Sequence, residues 1–176
     1  MSPLKVERCR LINVVRRIAI SLLLLAMTPA LLAQANDKTV DDLAMQAQTV
    51  MSRGKPEEAV SILRRAIDLA PERADLYLLR SRARDSSGKF QAALDDASKY
   101  IELAPDDAYG YLNRAHVYLS LDKNDAALTD ANKAIAISPN EPDAYFRRAD
   151  IYSYLGKDTE AKADEVKAEE LDKKAQ

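Results

Sequence analysis

The sequence predicts an all-α fold in which helical hairpins stack in a row to form a solenoid. Three prolines, Pro71, Pro105 and Pro139, are evenly spaced, and each ends a similar apolar phrase. A fixed period of about 34 residues, as here, is typical of stacked repeat architectures. The composition agrees, since only four of 176 residues are glycine, tryptophan is absent, and helix-forming residues dominate the later two-thirds of the sequence.

The first 35 residues have the composition of a secretory signal peptide. A lead with five Lys and Arg residues precedes an apolar run at residues 18–27, and small residues follow at Ala33 and Ala35. A basic lead, a short apolar run and a small-x-small end are the parts of such a signal. We therefore expect cleavage after Ala35 and export, with the bacterial periplasm as the expected destination and secretion as the alternative. An uncleaved membrane anchor is also an alternative, because Leu31 and Leu32 extend the apolar stretch.

Removal of residues 1–35 would leave a mildly acidic domain. The chain has 26 Lys and Arg residues and 28 Asp and Glu residues, of which the lead contains five and one. The remaining 21 basic and 27 acidic residues give a net charge of −6. Nucleic acids and anionic membranes both attract basic surfaces, so neither is an expected partner of the mature domain. The one cysteine, Cys9, lies in the lead, and no disulfide framework is expected.

Residues 36–39 are predicted to form a short polar linker, and residues 40–175 divide into four units, 40–73, 74–107, 108–141 and 142–175. Large and small side chains alternate at fixed offsets, as two close-packed antiparallel helices require. The tyrosines in this pattern are therefore expected in the core rather than as a stacking platform for bases. The large residues are Leu43, Tyr77, Tyr111 and Tyr145, and the small ones are Ala47, Ser81, Ala115 and Ala149, then Ala59, Ala93, Ala127 and Ala161.

The breaks between helices follow the same period. Gly54, Gly88 and Gly156 separate the two helices of three units, where a backbone with positive φ is often needed, and residues 122–124 do so in the third unit. Asp106 and Asn140 follow the prolines and are predicted N-caps. The last helix, at residues 159–174, is mostly polar, as expected for a terminal repeat whose outer face meets water.

At these positions the chain resembles the tetratricopeptide repeat family, over residues 40–173. The phrases Tyr-Leu-Asn-Arg-Ala at 111–115 and Asp-Asp-Ala-Ser-Lys-Tyr-Ile at 95–101 are similar to the usual repeat sequence of that family. The resemblance implies a right-handed superhelix of about four repeats, with a concave groove lined mainly by the first helix of each pair. Departures are Leu43 where an aromatic residue is usual, Arg84 at a Tyr-like position, and Lys173 in place of a closing proline.

Charged residues recur with the period too. Arg80, Arg114 and Arg148 have the same spacing as the prolines, and an aspartate follows each of them sixteen residues later. Sixteen residues across a hairpin can return the chain to the same level of the opposite helix. We therefore predict a structural Arg–Asp pair in each unit, with ligand binding as the alternative role. The aspartates are Asp96, Asp130 and Asp164.

The groove is the predicted binding site for a protein or peptide partner. Apolar anchors beside arginines are the residue types enriched at binding hot spots. Some members of the family bind chaperone C-termini through a Lys/Asn/Arg clamp, and Asn113 and Arg147 match two of its positions. Leu78, Arg82 and Asp143 occupy the others, so this clamp is not expected. By the resemblance, the residues that face the groove are Asp75, Leu78, Arg82, Tyr109, Leu112, Asn113, His116, Asp143, Phe146, Arg147 and Asp150.

Catalysis and metal binding are the less favoured alternatives. His116 is the one histidine, and the sequence places no nucleophile or orienting group beside it. The acidic pairs at 95–96 and 106–107 have no His or Cys near them, and they suit helix faces and caps. We therefore expect no enzyme, no cofactor and no metal. The main competing function is self-assembly, as a homo-oligomer or a membrane-tethered subunit of an envelope complex, through an exposed first helix that presents Leu43, Val50 and Met51.

Overall fold

The computed structural model describes residues 29–175, and every regular element within this range is a helix. Residues 1–28 of the predicted signal peptide, which was placed at residues 1–35, lie outside the described residues. By backbone contacts the chain divides into two compact units, residues 1–39 and 40–176. The helices are α1 (Pro29–Ser52), α2 (Pro56–Leu69), α3 (Ala74–Ser86), α4 (Phe90–Leu103), α5 (Ala108–Ser120), α6 (Asn124–Ile137), α7 (Pro142–Tyr154) and α8 (Asp158–Ala175).

Helix α1 begins earlier than the predicted first repeat. It starts at Pro29, where proline is well tolerated because the first turn needs no intrahelical N–H bond. The residues of the predicted linker, 36–39, are helical, since neither Gly nor Pro interrupts the stretch. The bond after Ala35, where we expect cleavage, lies within the same helix.

The helices pair and stack as the sequence predicts. Helix α3 packs on α4, α5 on α6 and α7 on α8. Between hairpins, α3 contacts α5 and α5 contacts α7, and each second helix contacts the first helix of the next hairpin. Apolar residues of α1 and α2, among them Leu43, Val50, Ala59 and Leu63, pack together in a buried cluster that we call the first core cluster. The first helices thus form one surface of the solenoid, and the confirmed fold is an all-α row of helical hairpins.

The turns inside the hairpins have the predicted left-handed backbone. Gly54, Gly88 and Gly156 have φ of 73°, 72° and 68°, and Asp122 takes their place in the third hairpin with φ of 56°. In the first turn the amide of Gly54 donates to the Met51 carbonyl at 2.9 Å. This arrangement satisfies carbonyls that the end of a helix otherwise leaves free.

The predicted N-caps are wrong by one residue. Asp107, not Asp106, caps α5, and its carboxylate accepts from the Tyr109 amide at 2.8 Å. Before α7 the cap position belongs to Glu141, whose side chain makes no capping bond, so Asn140 is not a cap either. The reason is that both helices begin one residue later than the position of the prolines suggests.

The first core cluster buries the surface that the alternative of self-assembly requires. Leu43 and Val50 are only 7% and 6% exposed, because they pack against α2, and Met51 is partly buried beside them. Among the described large apolar side chains of α1, Met45 is exposed, at 66%. The prediction of an exposed apolar face made of Leu43, Val50 and Met51 is therefore wrong.

The repeated tyrosines are confirmed as packing residues. Tyr77 is buried, and its hydroxyl donates to the Pro71 carbonyl at 2.9 Å. The partly buried Tyr111 and Tyr145 make the same bond to the prolines that close the preceding units. Each tyrosine therefore joins a repeat to the end of the one before it, which explains why both residues follow one period.

The predicted Arg–Asp pairs are present in the second, third and fourth units. Arg80 donates two hydrogen bonds to Asp96 at 2.8 and 2.7 Å, and the other two pairs have the same forked geometry. The three carboxylates are buried. Fork-to-carboxylate bonds are among the strongest hydrogen bonds that proteins make. These residues hold the hairpins together, which supports the structural role.

Candidate functional site

The surface of the first helices carries a cavity of about 380 Å³. A second cavity, of about 490 Å³, adjoins it at the N-terminal end of α5, and a third of about 30 Å³ lies beside it towards the C-terminal end. Leu112 lines all three, so together they form a depression along α5, which we call the α5 groove. The first cavity is lined by Met51, Arg82, Asp85, Ser86, Tyr109, Leu112, Asn113, His116, Asp143 and Arg147.

Most of the residues predicted to face the groove line these cavities. Arg82, Tyr109, Leu112, Asn113, His116, Asp143 and Arg147 line the first, and Asp150 lines the third.

Three residues differ from this prediction. Asp75 pairs with Arg73 at 2.6 Å, Leu78 packs against the first core cluster, and Phe146 is partly buried and lines none of the three cavities.

Two of the lining residues form the floor of the groove. Leu112 is 6% and Asn113 is 9% exposed. The Asn113 amide donates to the Ser81 hydroxyl at 2.8 Å, and Ser81 donates in turn to the Ala93 carbonyl. This chain of buried hydrogen bonds connects α5 to α3 and α4. The floor is thus held in place before any partner binds.

His116 is held by an acidic residue that the sequence reasoning missed. Its Nε2 lies 3.2 Å from Asp85, which also accepts from the Ser120 hydroxyl at 3.1 Å. The hydrogen bond raises the pKa of His116 above its usual 6.5, against the opposing effect of burial, and it lowers the pKa of Asp85. Because the Ser120 hydroxyl contacts the carboxylate and not the imidazole, this group is not arranged as a nucleophile with its base.

Asp85, Ser86 and Met51 complete the lining of the first cavity. A signal for Asp85 and Ser86 was present, since they follow Arg82 at three and four residues, the spacing that puts side chains on one helix face. Met51 precedes Asp85 by one repeat period and so has the same offset in the first unit.

The two arginines of the groove, Arg147 and Arg82, differ in their contacts with acidic side chains. Arg147 Nε lies 3.7 Å from Asp143, and both side chains are partly exposed. Arg82 is exposed, and its guanidinium forms no hydrogen bond or ion pair within the described part of the chain. The groove therefore offers one free guanidinium and one loosely held one.

Two further features of the described residues concern other site classes. Between residues 29 and 175 the side chains form no group of three His, Cys, Asp or Glu residues suited to a metal ion. None of the helices in that range combines the length and the apolar character that a membrane crossing needs.

Comparison with solved structures finds several similar chains. A crystal structure of MamA is 28% identical with a TM-score of 0.66, over 82% of this chain and 84% of that one. TTC0263, a repeat protein of Thermus thermophilus, is 18% identical with a TM-score of 0.70, over 75% and 74% of the two chains. The first tetratricopeptide repeat region of Spaghetti (RPAP3), bound to the HSP90 peptide SRMEEVD, is 22% identical with a TM-score of 0.61, over 68% and 94%. The last two similarities concern the fold alone.

Sequence comparison is consistent with the structural one. No curated protein sequence is a significant match to the chain. Three sequence models, each described as tetratricopeptide repeat, match residues 44–108, 108–141 and 131–163. Together they cover residues 44–163, which lie within the stacked hairpins. The chain therefore belongs to the tetratricopeptide repeat family.

Proposed function

We propose that the chain is a non-enzymatic adaptor or scaffold that binds a segment of a partner protein in the α5 groove. The observation that carries this proposal is the groove itself, in which the exposed Tyr109 and two arginines line one cavity with the buried Leu112 and Asn113. Aromatic residues and arginines near the centre of a well-packed surface supply most of the binding energy at protein interfaces. The peptide-bound structure of Spaghetti, similar in fold, is an example of such binding by another chain.

The way the floor is built supports binding at low cost. Leu112 packs in a core cluster, and Asn113 is held by Ser81. Side chains that are already ordered lose little further entropy when a partner arrives, and so more of the contact energy contributes to affinity. A preformed groove of this kind suits an extended segment or a helix of a partner.

We propose further that the repeat domain is exported, with residues 1–35 as a cleaved signal and the bacterial periplasm as its destination. The basic lead and the short apolar run support this proposal. Cell fractionation and the mass of the purified protein test it. A mature N-terminus at Asn36 supports cleavage, whereas a full-length membrane-bound product contradicts it.

Site-specific photo-crosslinking in the native host tests the binding function. The probe replaces Tyr109 in the groove, and the control probe replaces Lys99, which lies on α4 and pairs with Glu102 outside the groove. A discrete adduct from position 109 alone supports the adaptor and identifies the partner by mass spectrometry. Adducts from both positions, or from neither, contradict groove binding, and a dimer band from position 109 indicates self-assembly instead.

A further inference from the structure

We propose that the partner of the α5 groove is an extended segment with a basic side chain at one position, an apolar side chain two residues away and an acidic side chain two residues beyond that. This inference rests on the proposed function, because it specifies the chemistry of the segment that the same groove binds. It follows from three neighbouring parts of the groove, which offer free carboxylates, an apolar surface and a free guanidinium.

The N-terminal end of the groove is acidic. Asp106 and Glu141 line the second cavity, and their side chains form no hydrogen bond or ion pair in the part of the chain that is described. The neighbouring Asp107 is already engaged by the Tyr109 amide and the Tyr100 hydroxyl. Two free carboxylates at one end of a cavity are suited to a Lys or Arg side chain of the partner.

The middle of the groove is apolar. Tyr109 and Leu112 line both the first and the second cavity, and the Tyr109 side chain is 45% exposed. An exposed aromatic ring that lines the same cavities as a leucine gives an apolar side chain of the partner a surface to cover. Burial of that surface is worth about 25 cal/mol per Å².

The far end of the first cavity is the place for an acidic side chain. Of its three basic residues, His116 is held by Asp85 and Arg147 lies near Asp143. Arg82 is the one without an ion pair among the described residues. A guanidinium that already points into a cavity can bind a carboxylate through two parallel hydrogen bonds.

The separation of the two ends sets the spacing of the segment. Arg82 and His116 are one repeat period apart and so occupy the same level of neighbouring first helices. The rise along α5 from Ala108 to His116 is roughly 12 Å at 1.5 Å per residue, and α3 lies roughly 9 Å to one side, so the start of α5 is roughly 15 Å from Arg82. An extended segment covers about 13 Å in four residues, and positions i, i+2 and i+4 point to one face. Either chain direction places the two charges equally well.

Fluorescence anisotropy with labelled peptides tests this proposal on the full chain. The test peptide is Ser-Lys-Ser-Phe-Ser-Glu-Ser, and the comparison peptides replace Lys by Glu, Glu by Lys, or Phe by Ser. A fourth peptide brings both charges next to Phe, where they point to the opposite face. We expect the test peptide to bind about tenfold more tightly than each of the others, because each change removes one matched contact.

Charge exchange in the protein makes the test specific to the groove. In Arg82→Glu the preference should change to the peptide with two lysines, and in the double variant Asp106→Lys with Glu141→Lys it should change to the peptide with two glutamates. The control is Arg65→Glu on α2, an exposed arginine outside the groove, which should keep the wild-type preference. Circular dichroism shows whether each variant is folded.

Three results would overturn the proposal. They are equal binding of all peptides, no binding of the test peptide, and a concentration-dependent dimer that Arg82→Glu abolishes, which would make a second copy the occupant. A heteromeric crosslink at Tyr109 without peptide discrimination would refute the charge order and leave the binding function standing. Absence of both the crosslink and any peptide binding would refute the binding function itself.

Discussion

The ring of Tyr100 on α4 fills the space beside Gly110 on α5, so that a β-carbon at Gly110 would lie 2.5 Å from the Tyr100 ring. The two residues stand ten apart, and the equivalent positions of the neighbouring hairpins hold Ala66 with Leu76 and Ala134 with Ala144. In the first two of these pairs a large residue on one helix is matched by a small one on its neighbour, and in the third pair both residues are small. Gly110 is the position that lets α5 approach α4 around a tyrosine.

Substitution of Gly110 tests this size matching. Helix propensity alone favours Gly110→Ala by about 1 kcal/mol. Overpacking against the Tyr100 ring costs about 1–3 kcal/mol, so we expect a net loss in the free energy of unfolding, measured with urea. The double variant Tyr100→Ala with Gly110→Leu reproduces the Ala66–Leu76 arrangement and should recover much of the loss. A stabilised Gly110→Ala variant would show that the ring gives way easily.

The Arg114–Asp130 pair should be structural and not part of partner binding. Asp130 is 5% exposed, and Arg114→Ala leaves its carboxylate without the two bonds at 2.7 and 2.9 Å. Removal of one partner of a buried pair costs about 3 kcal/mol, which lowers the melting temperature. Replacement of both residues by Met and Leu should cost less. Partner binding, measured at a temperature where the variant is folded, should be unchanged, and its loss without a loss of stability would refute the structural role.

At position 122 a glycine variant should be more stable than an alanine variant, which is the reverse of the order within a helix. Its φ of 56° costs an L-residue about 1 kcal/mol, which glycine avoids. Asp122→Gly and Asp122→Ala both remove the hydrogen bond from the Tyr154 hydroxyl, so their difference isolates the backbone term. We expect the glycine variant to be about 1 kcal/mol more stable in thermal unfolding. At the exposed helical residue Lys133 the order should reverse, and the same order at both sites would argue against a left-handed turn.

The Asp85–His116 pair should make stability depend on pH in a defined window. The pKa of His116 is raised, so its contribution is complete below pH 6.5 and is lost as pH rises through the higher folded value. The pKa of Asp85 is lowered, so its contribution is present above pH 3.8 and is lost as pH falls through the lower folded value.

Comparison of His116→Gln with the parent chain measures this window. The difference in unfolding free energy should be largest between pH 4 and 6.5 and should shrink towards pH 8.5. It should stay below about 1 kcal/mol, because the imidazole is largely exposed. Asp85→Asn should remove the same dependence, and NMR titration of His116 in that variant should give a pKa closer to 6.5. A difference that grows with pH would contradict the pair.

The sequence by itself determined the features of this protein that repeat. The even spacing of the units, the alternation of large and small residues, the left-handed turns and the Arg80–Asp96 type of pair were all predicted and are all present. They depend on contacts within one hairpin or between equivalent positions of neighbouring hairpins. Each such contact occurs several times in the chain, so that the pattern is visible without knowledge of the distances.

Only the tertiary structure decided which polar side chains remain free to bind. Asp75 and Asn113 were expected in the groove on equal terms with Arg82, but Arg73 binds the first and Ser81 the second. Asp85 was missed, although it holds His116 across two helices. A side chain's choice of partner depends on differences of a few tenths of an ångström in the distances between atoms on neighbouring helices. Periodicity along the chain does not carry that information.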